Sequence, residues 1–247
     1  MEFNIVGAKM SNILIVDISH WNGNVDPYKL IAAGISAVIA KAGQYWKNQE
    51  TTDSKYFVNM DRLEEAQLPH GSYYYFQPAE SLSNQARHCK RLWSAYPKYP
   101  IILDVEDTQK VQPKEMARRV KVMLDSMEEF SGIKPIIYTR NGFWVNQVGN
   151  PIWSDEYRFW LAQYPKMTNV SVKNVIMHQF TDRMAIPGCP AMDGNYWMGT
   201  EAEFYTMINK NDGTIPYQVE QITQNRIKKR IFALSKKNRQ WLENLMR

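Results

Sequence analysis

The stretch PIILDVEDTQKVQPKEMARRVKVMLDSMEEFSGIKPIIYT, residues 100–139, decides the fold. It opens on a short apolar run, PIILDV (100–105), and closes on another, KPIIYT (134–139). Between them Pro113 stands as a helix opener. Met116, Val120, Met123 (or Leu124) and Met127 recur at the spacing of one buried helical face, which predicts a helix over 113–130. Strand, helix and strand in this order make a crossover unit whose two strands run parallel.

The same alternation continues in both directions. Strand-like runs lie at 13–18, 35–42, 71–76, 158–164, 173–180 and, less distinctly, 191–197. Helices are predicted over 26–33, 53–67, 81–95 and 141–147, the first with Asp26 as N-cap ahead of Pro27. Repeated β/α units build either an open doubly wound sheet or a closed barrel. No glycine-rich phosphate loop follows the first strand, which disfavours a nucleotide-binding sheet. The expected class is therefore α/β, an irregular single-domain β/α (TIM-like) barrel. Its irregular part is 158–197, where strands follow one another with little helix between. The chain divides into an N-terminal extension (1–11), the barrel (12–205) and a basic C-terminal helical tail (206–247).

Composition agrees with a large core. Of 247 residues 44% are hydrophobic and 22% charged, and 12 Gly with 12 Pro exclude a collagen-like or mostly disordered chain. The longest apolar runs, such as ILIVDI (13–18), fall well short of the roughly 18–20 residues of a membrane span. MEFNIVGAKMSN (1–12) has no basic stretch followed by an apolar run, so no secretory signal is expected. Cys89 and Cys189 read as free thiols. Residues 206–247 carry nine Lys/Arg against three acids, so a net charge of +5 for the chain leaves the body near −1. A near-neutral body argues against a nucleic-acid groove, and nucleic acid is not expected as a partner.

In a β/α barrel, chemistry gathers where the strands end. Here those ends carry Asp17, Lys41, Tyr73 to Tyr75, Asp104, Glu106, Tyr138, Gln163, Tyr164, Gln179 and Asp193. Within 101–107, Asp104 and Glu106 share one strand face, about 6.5–7 Å apart at Cα, while Ile101, Leu103 and Val105 face a covering helix. Two carboxylates aimed into one partly dry site raise the pKa of at least one and leave a proton donor near neutral pH. An acid of this kind beside further carboxylates meets the requirement of glycoside hydrolysis. The same acids, Asp17, Asp104, Glu106 and Asp193, also suit a hard divalent cation. His20, His70, His88 and His178 show no zinc spacing, and no serine sits in a nucleophile elbow. His178 reads as a packed histidine. Aromatic residues beside polar ones, among them Trp21, Tyr75 and Trp160, suit sugars, whose C–H faces stack on rings.

The ordered motifs resemble glycoside hydrolase family 25, the lysozyme-type muramidases. They are Asp17-Ile-Ser-His-Trp-Asn-Gly23, Ile39-Ala-Lys41-Ala42, Gly71-Ser-Tyr73, Ile102-Leu-Asp104-Val-Glu106-Asp107, Pro135-Ile-Ile-Tyr138-Thr139, Trp160-Leu-Ala-Gln-Tyr164, His178-Gln179-Phe180-Thr181 and Met192-Asp193-Gly-Asn195. The resemblance runs over about 12–200 and implies cleavage of the β-1,4 bond between N-acetylmuramic acid and N-acetylglucosamine in peptidoglycan, without metal or cofactor. It implies Glu106 as general acid and then base, with Asp104 assisting the substrate's 2-acetamido group; a covalent intermediate stays open beside that route. Asp17 and Asp193 match the other acids of the groove. Tyr73, Tyr138 and Gln179 match rim positions, and Tyr75, Trp160, Lys41 and Trp21 complete the expected substrate-binding set. Two departures are Lys41-Ala42-Gly43-Gln44, where the family often has Lys-Ala-Thr-Glu-Gly, and Tyr73 to Phe76, where it often has aromatic-His-Phe.

Beyond residue 205 the resemblance ends. Ile227, Ile231, Leu234, Trp241 and Leu245 recur at helical spacing, with Lys228, Lys229, Lys236 and Lys237 elsewhere on that surface. The pattern suits self-association or a virion or other protein partner. With no signal expected, an enzyme of the bacterial cell wall that is phage-encoded or virion-associated is favoured over a secreted one. The alternative function is a glycan-binding or assembly module that grips without cutting.

Overall fold

The computed structural model describes residues 13–97 and 101–209. The strands among them are β1 (Leu14–Ile18), β2 (Ile35–Trp46), β3 (Gln49–Thr52), β4 (His70–Tyr75), β5 (Ile101–Asp104), β6 (Ile136–Thr139), β7 (Arg158–Ala162), β8 (Val175–Met184) and β9 (Met192–Trp197). The helices are α1 (Pro27–Ala32), α2 (Tyr56–Glu65), α3 (Leu82–Trp93), α4 (Pro113–Ser131), α5 (Asn141–Phe143), which continues as a π-helical turn at Trp144–Val148, and α6 (Glu201–Asn209). The sheet order is β1-β9-β8-β7-β6-β5-β4-β2-β3, and β1 also pairs with β2, so the sheet closes on itself with β3 outside the ring. This is the irregular β/α barrel expected from the alternation. The irregularity is β9, which runs antiparallel to both β8 and β1.

Local chemistry accounts for the helices. Asp26 caps α1 by accepting from Tyr28 N–H at 3.0 Å, with Pro27 at the first helical position. Pro113 opens α4, and Gly132, at φ 68°, ends it in the left-handed conformation that favours glycine. The α4 residues Met116, Val120, Met123, Leu124 and Met127 share one buried cluster with Ile101 and Leu103 of β5 and with Val105 just past it.

Inside the ring the strands divide into two storeys. Ile15, Ile39, Ile102, Ile136 and Met177 form an apolar floor near the strand beginnings. One or two pleats further on, the same faces carry Asp17, Lys41, Asp104, Tyr138 and Gln179, because side chains two apart share a face. In β9 the order is reversed: Asp193 comes first and lies opposite Asp17, while Trp197 comes last and joins the floor. Antiparallel direction therefore places an acid at the start of its strand on the same rim as acids at the ends of the others.

Two elements differ from expectation. The second strand does not stop at Ala42 but runs to Trp46 and turns back as β3. Lys47 and Asn48, at φ 51° and 59°, form the turn, and their N–H groups donate to the Glu80 carboxylate at 2.9 and 3.3 Å. Gly43 permits this hairpin, since a Cβ there would sit 2.5 Å from the Thr51 carbonyl oxygen. The second difference is α6, which crosses the position, 205/206, where sequence divides barrel from tail. Its Phe204 is buried on the barrel floor beside Trp197, with Met207 and Ile208 packed there too. The extension and the heptad-like pattern beyond 209 lie outside the described residues. Cys89 is buried, Cys189 is partly exposed, and both are free thiols.

Candidate active site

The site is built on the upper storey around one amide. Gln179 Nε2 donates to Asp17 Oδ2 at 3.0 Å and to Asp193 Oδ2 at 3.1 Å. Its Oε1 accepts from the hydroxyls of Tyr138 at 2.9 Å and Tyr164 at 2.6 Å. A second amide works beside it: Asn195 Nδ2 donates to Asp17 Oδ2 at 2.8 Å, while Asn195 Oδ1 accepts from Trp160 Nε1 at 2.7 Å. Asp17 and Asp193 face each other across the β1–β9 pair, and the shared Gln179 donor offsets part of their repulsion.

Burial raises all four acids, and the charge of nearby carboxylates adds to it. Asp17 is pushed up to about 7, first by burial and then by the Asp193 charge, against the lowering effect of the Asn195 and Gln179 bonds. Asp193 rises to about 6 through burial and the charges of Asp182 and Glu106. Burial lifts Glu106 above the usual carboxylate range, opposed mainly by Arg140 and then Lys41. Asp104 lies well above that range, from burial first and the Glu106 charge second. It is 4% exposed, and its Oδ1 has no hydrogen-bond partner among the described residues. An orphaned buried acceptor is costly, and a donor from a bound molecule would satisfy it.

The ladder continues one residue past β5, with Val105 N–H donating to the Tyr138 carbonyl at 2.9 Å. Glu106 is thereby carried to the mouth of a groove of about 870 Å³, which is also lined by Tyr75, Tyr138, Arg140, Gln163 and Tyr164. Tyr73 and Tyr75 point to the ring interior and Tyr74 outward to His88, which settles the phase of the tyrosine run. Lys41 Nζ sits 4.6 Å from the Tyr75 ring centroid and holds both Asp104 and Glu106 down.

Two expected sugar contacts stand differently. Trp160 is 1% exposed, beneath Tyr138 and hydrogen-bonded to Asn195, so its indole has no free face for a sugar and serves to orient the acids' amide. Alternation on β7 turns it into the closed ring interior. Trp21 is 85% exposed on the turn after β1, against His20 at 4.5 Å, outside the acid network. His178 is packed, its Nε2 2.7 Å from the Gln163 carbonyl. Asn195 and Arg140 group with the site although they were not among its expected residues, and Tyr164, expected at a strand end but not in the substrate-binding set, joins them. Asn195 and Tyr164 lie at the ends of quoted motifs, whereas Arg140, just past a predicted strand, carried only its position as a signal. Among the described residues no three His, Cys, Asp or Glu side chains are grouped as a metal-binding set.

A stability prediction follows from Asp17. A carboxyl raised from 3.8 to about 7 contributes stability that is fully present below pH 3.8 and lost as pH rises to 7. Between pH 5 and pH 8 the loss is roughly 2 kcal/mol, on the order of 5 °C in Tm. The Tm difference between the native protein and Asp17→Asn, measured across that range, should shift in favour of the variant as pH rises. A constant difference would contradict it.

The sequence profile described as Glycosyl hydrolases family 25 matches residues 16–189. The uncharacterized protein YegX of Escherichia coli O6:H1 (strain CFT073) is 31% identical over 205 residues, which cover 78% of this chain and 72% of that protein. Two solved structures share the fold. The bacterial lysozyme from Streptomyces coelicolor has a TM-score of 0.73 at 19% identity, over 82% of this chain and 100% of that one. The muramidase from Trichobolus zukalii has a TM-score of 0.71 at 23% identity, over 80% and 99%. Because the family profile spans both the strand that carries Asp17 and the Asp104–Glu106 pair, the chain belongs to glycosyl hydrolase family 25 and is a glycoside hydrolase.

Proposed function

We propose that this glycoside hydrolase is an N-acetylmuramidase, cleaving the β-1,4 bond between N-acetylmuramic acid and N-acetylglucosamine in peptidoglycan. The observation that carries the mechanism is Asp104, a buried carboxyl with a bare Oδ1 beside a raised Glu106 at the groove mouth. Two such carboxyls share one proton at neutral pH. In the empty groove the more deeply buried Asp104 holds it. A sugar's acetamido N–H, placed against Oδ1, stabilises the Asp104 carboxylate and leaves the proton to Glu106. Glu106 then protonates the glycosidic oxygen as that bond breaks, while the acetamido oxygen closes on the anomeric carbon. The same glutamate afterwards takes a proton from the water that opens the cyclic intermediate. The bare Oδ1 favours this substrate-assisted route over a covalent glycosyl-enzyme.

Mass spectrometry of digested peptidoglycan should show new reducing-end muramic acid. Reducing-end N-acetylglucosamine would refute the bond assignment, and binding without new reducing ends would make the barrel a glycan-binding module. Chelation with EDTA should leave the rate within about twofold, since no step needs a Lewis acid. A loss restored by added Mg²⁺ would assign the acids to a cation instead. We further propose the bacterial cell wall as the place of action, with a phage or virion origin and a partner for the tail. Identification of the encoding locus and co-purification with virions would test that context.

A further inference from the structure

Beside Glu106 the groove is also lined by Arg140, Asn141, Gln163, Tyr164, Thr168 and Asn169. Among the described residues that line the groove Arg140 is the one cation, and the other charged side chains there are the acids Glu106 and Asp107. No carboxylate lies within 4.0 Å of its guanidinium among the described residues, whereas Arg91 and Arg118 each hold one at 2.6 Å. Opposite it the loop is held from two sides. Asn141 Nδ2 donates to the Asn169 carbonyl at 3.0 Å and Asn141 Oδ1 accepts from Ser171 N–H at 2.8 Å. Gln163 Nε2 donates to the Thr168 carbonyl at 3.1 Å, and Gln163 Oε1 accepts from Thr168 N–H at 3.2 Å. This part of the groove is therefore a pre-shaped polar wall around one unengaged guanidinium fork.

An anionic glycan approaching this rim meets Asp17, Asp104, Glu106, Asp107 and Asp193. Repulsion from the charge that this acidic rim carries has to be offset where the ligand's own charge sits, and a guanidinium offers two parallel donors to a carboxylate. Lys41 is already engaged over Tyr75. We propose that Arg140 and the amide-held loop facing it form a carboxylate subsite, which takes the lactyl carboxylate of a muramic acid residue next to the scissile bond. This rests on the muramidase reading and adds to it a preference for glycan with an unamidated lactyl group.

Three substrates separate the possibilities: glycan strands stripped of stem peptides, the same strands with the lactyl carboxylate converted to a methylamide, and strands bearing stem peptides. The wild-type protein should favour the stripped strands over the methylamide by about tenfold in kcat/KM. Arg140→Gln should bring that ratio close to one, and Arg140→Lys should keep part of it. Because Arg140 also influences the ionisation of Glu106 on every substrate, the ratio isolates the contact. An unchanged ratio in Arg140→Gln, with Tm showing a folded variant, would overturn the subsite. A selective loss on peptide-bearing strands would also overturn the lactyl assignment, moving the contact to a peptide carboxylate. No cleavage of any strand by the wild-type protein would instead refute the muramidase reading itself.

Discussion

Glu106→Gln is expected to lower turnover of peptidoglycan about 1000-fold, within the range that a positioned general acid supplies. Gln fills the same space and can donate a hydrogen bond, yet it has no proton to release to a departing oxygen. The structure makes the test clean, because Glu106 is half-buried at the groove mouth and held by no ion pair among the described residues. Removing a carboxyl that burial has raised should leave Tm equal or slightly higher. Steady-state release of reducing ends, beside a thermal melt, checks both halves. Full turnover in the variant would remove Glu106 from the chemistry.

Asp104→Asn should cost about 100- to 1000-fold, and its pH profile carries the more specific signature. On the proposed mechanism the active form of the native pair holds one proton, so activity should fall when the second is bound and again when the last is lost. The Asp104 pKa lies well above the usual range, from burial first and then from the charge of Glu106. With Asn at 104, Glu106 ionises beside a neutral neighbour. The basic limb of kcat/KM should therefore move to lower pH, and the acid limb due to Asp104 should disappear. A lower rate with both limbs unmoved would reduce Asp104 to a packing role.

Parity made much of this arrangement legible from the amino acids. Ile101, Leu103 and Val105 alternate with Ile102, Asp104 and Glu106, and one residue of slip would exchange core and site. Asp17, Asp104 and Glu106 could be found because each sits at the end of an apolar run of the right length, and Asp193 through its motif. What escaped notice had non-local causes. The β2–β3 hairpin depends on Glu80, more than thirty residues away, accepting from the turn. Trp160 looks like a sugar platform in sequence and is a buried donor in the fold, because only ring closure decides which aromatic keeps a free face. Helix α6 lacks strong amphipathic spacing and gains its place from the open floor that Phe204 covers.

The acids Asp17 and Asp193 stand where the first strand of the barrel meets the last. That junction is the seam of the barrel, and the bond from Asn195 to Asp17 spans 178 residues of chain. Closure thus brings two acids together at a contact of very long sequence separation, with Asn195 and Gln179 as the clasp. On the proposed mechanism a barrel with its seam undone would lack two of the four acids of the candidate site. Alkaline conditions, by charging both sides of the seam, should make this the first place where the ring parts.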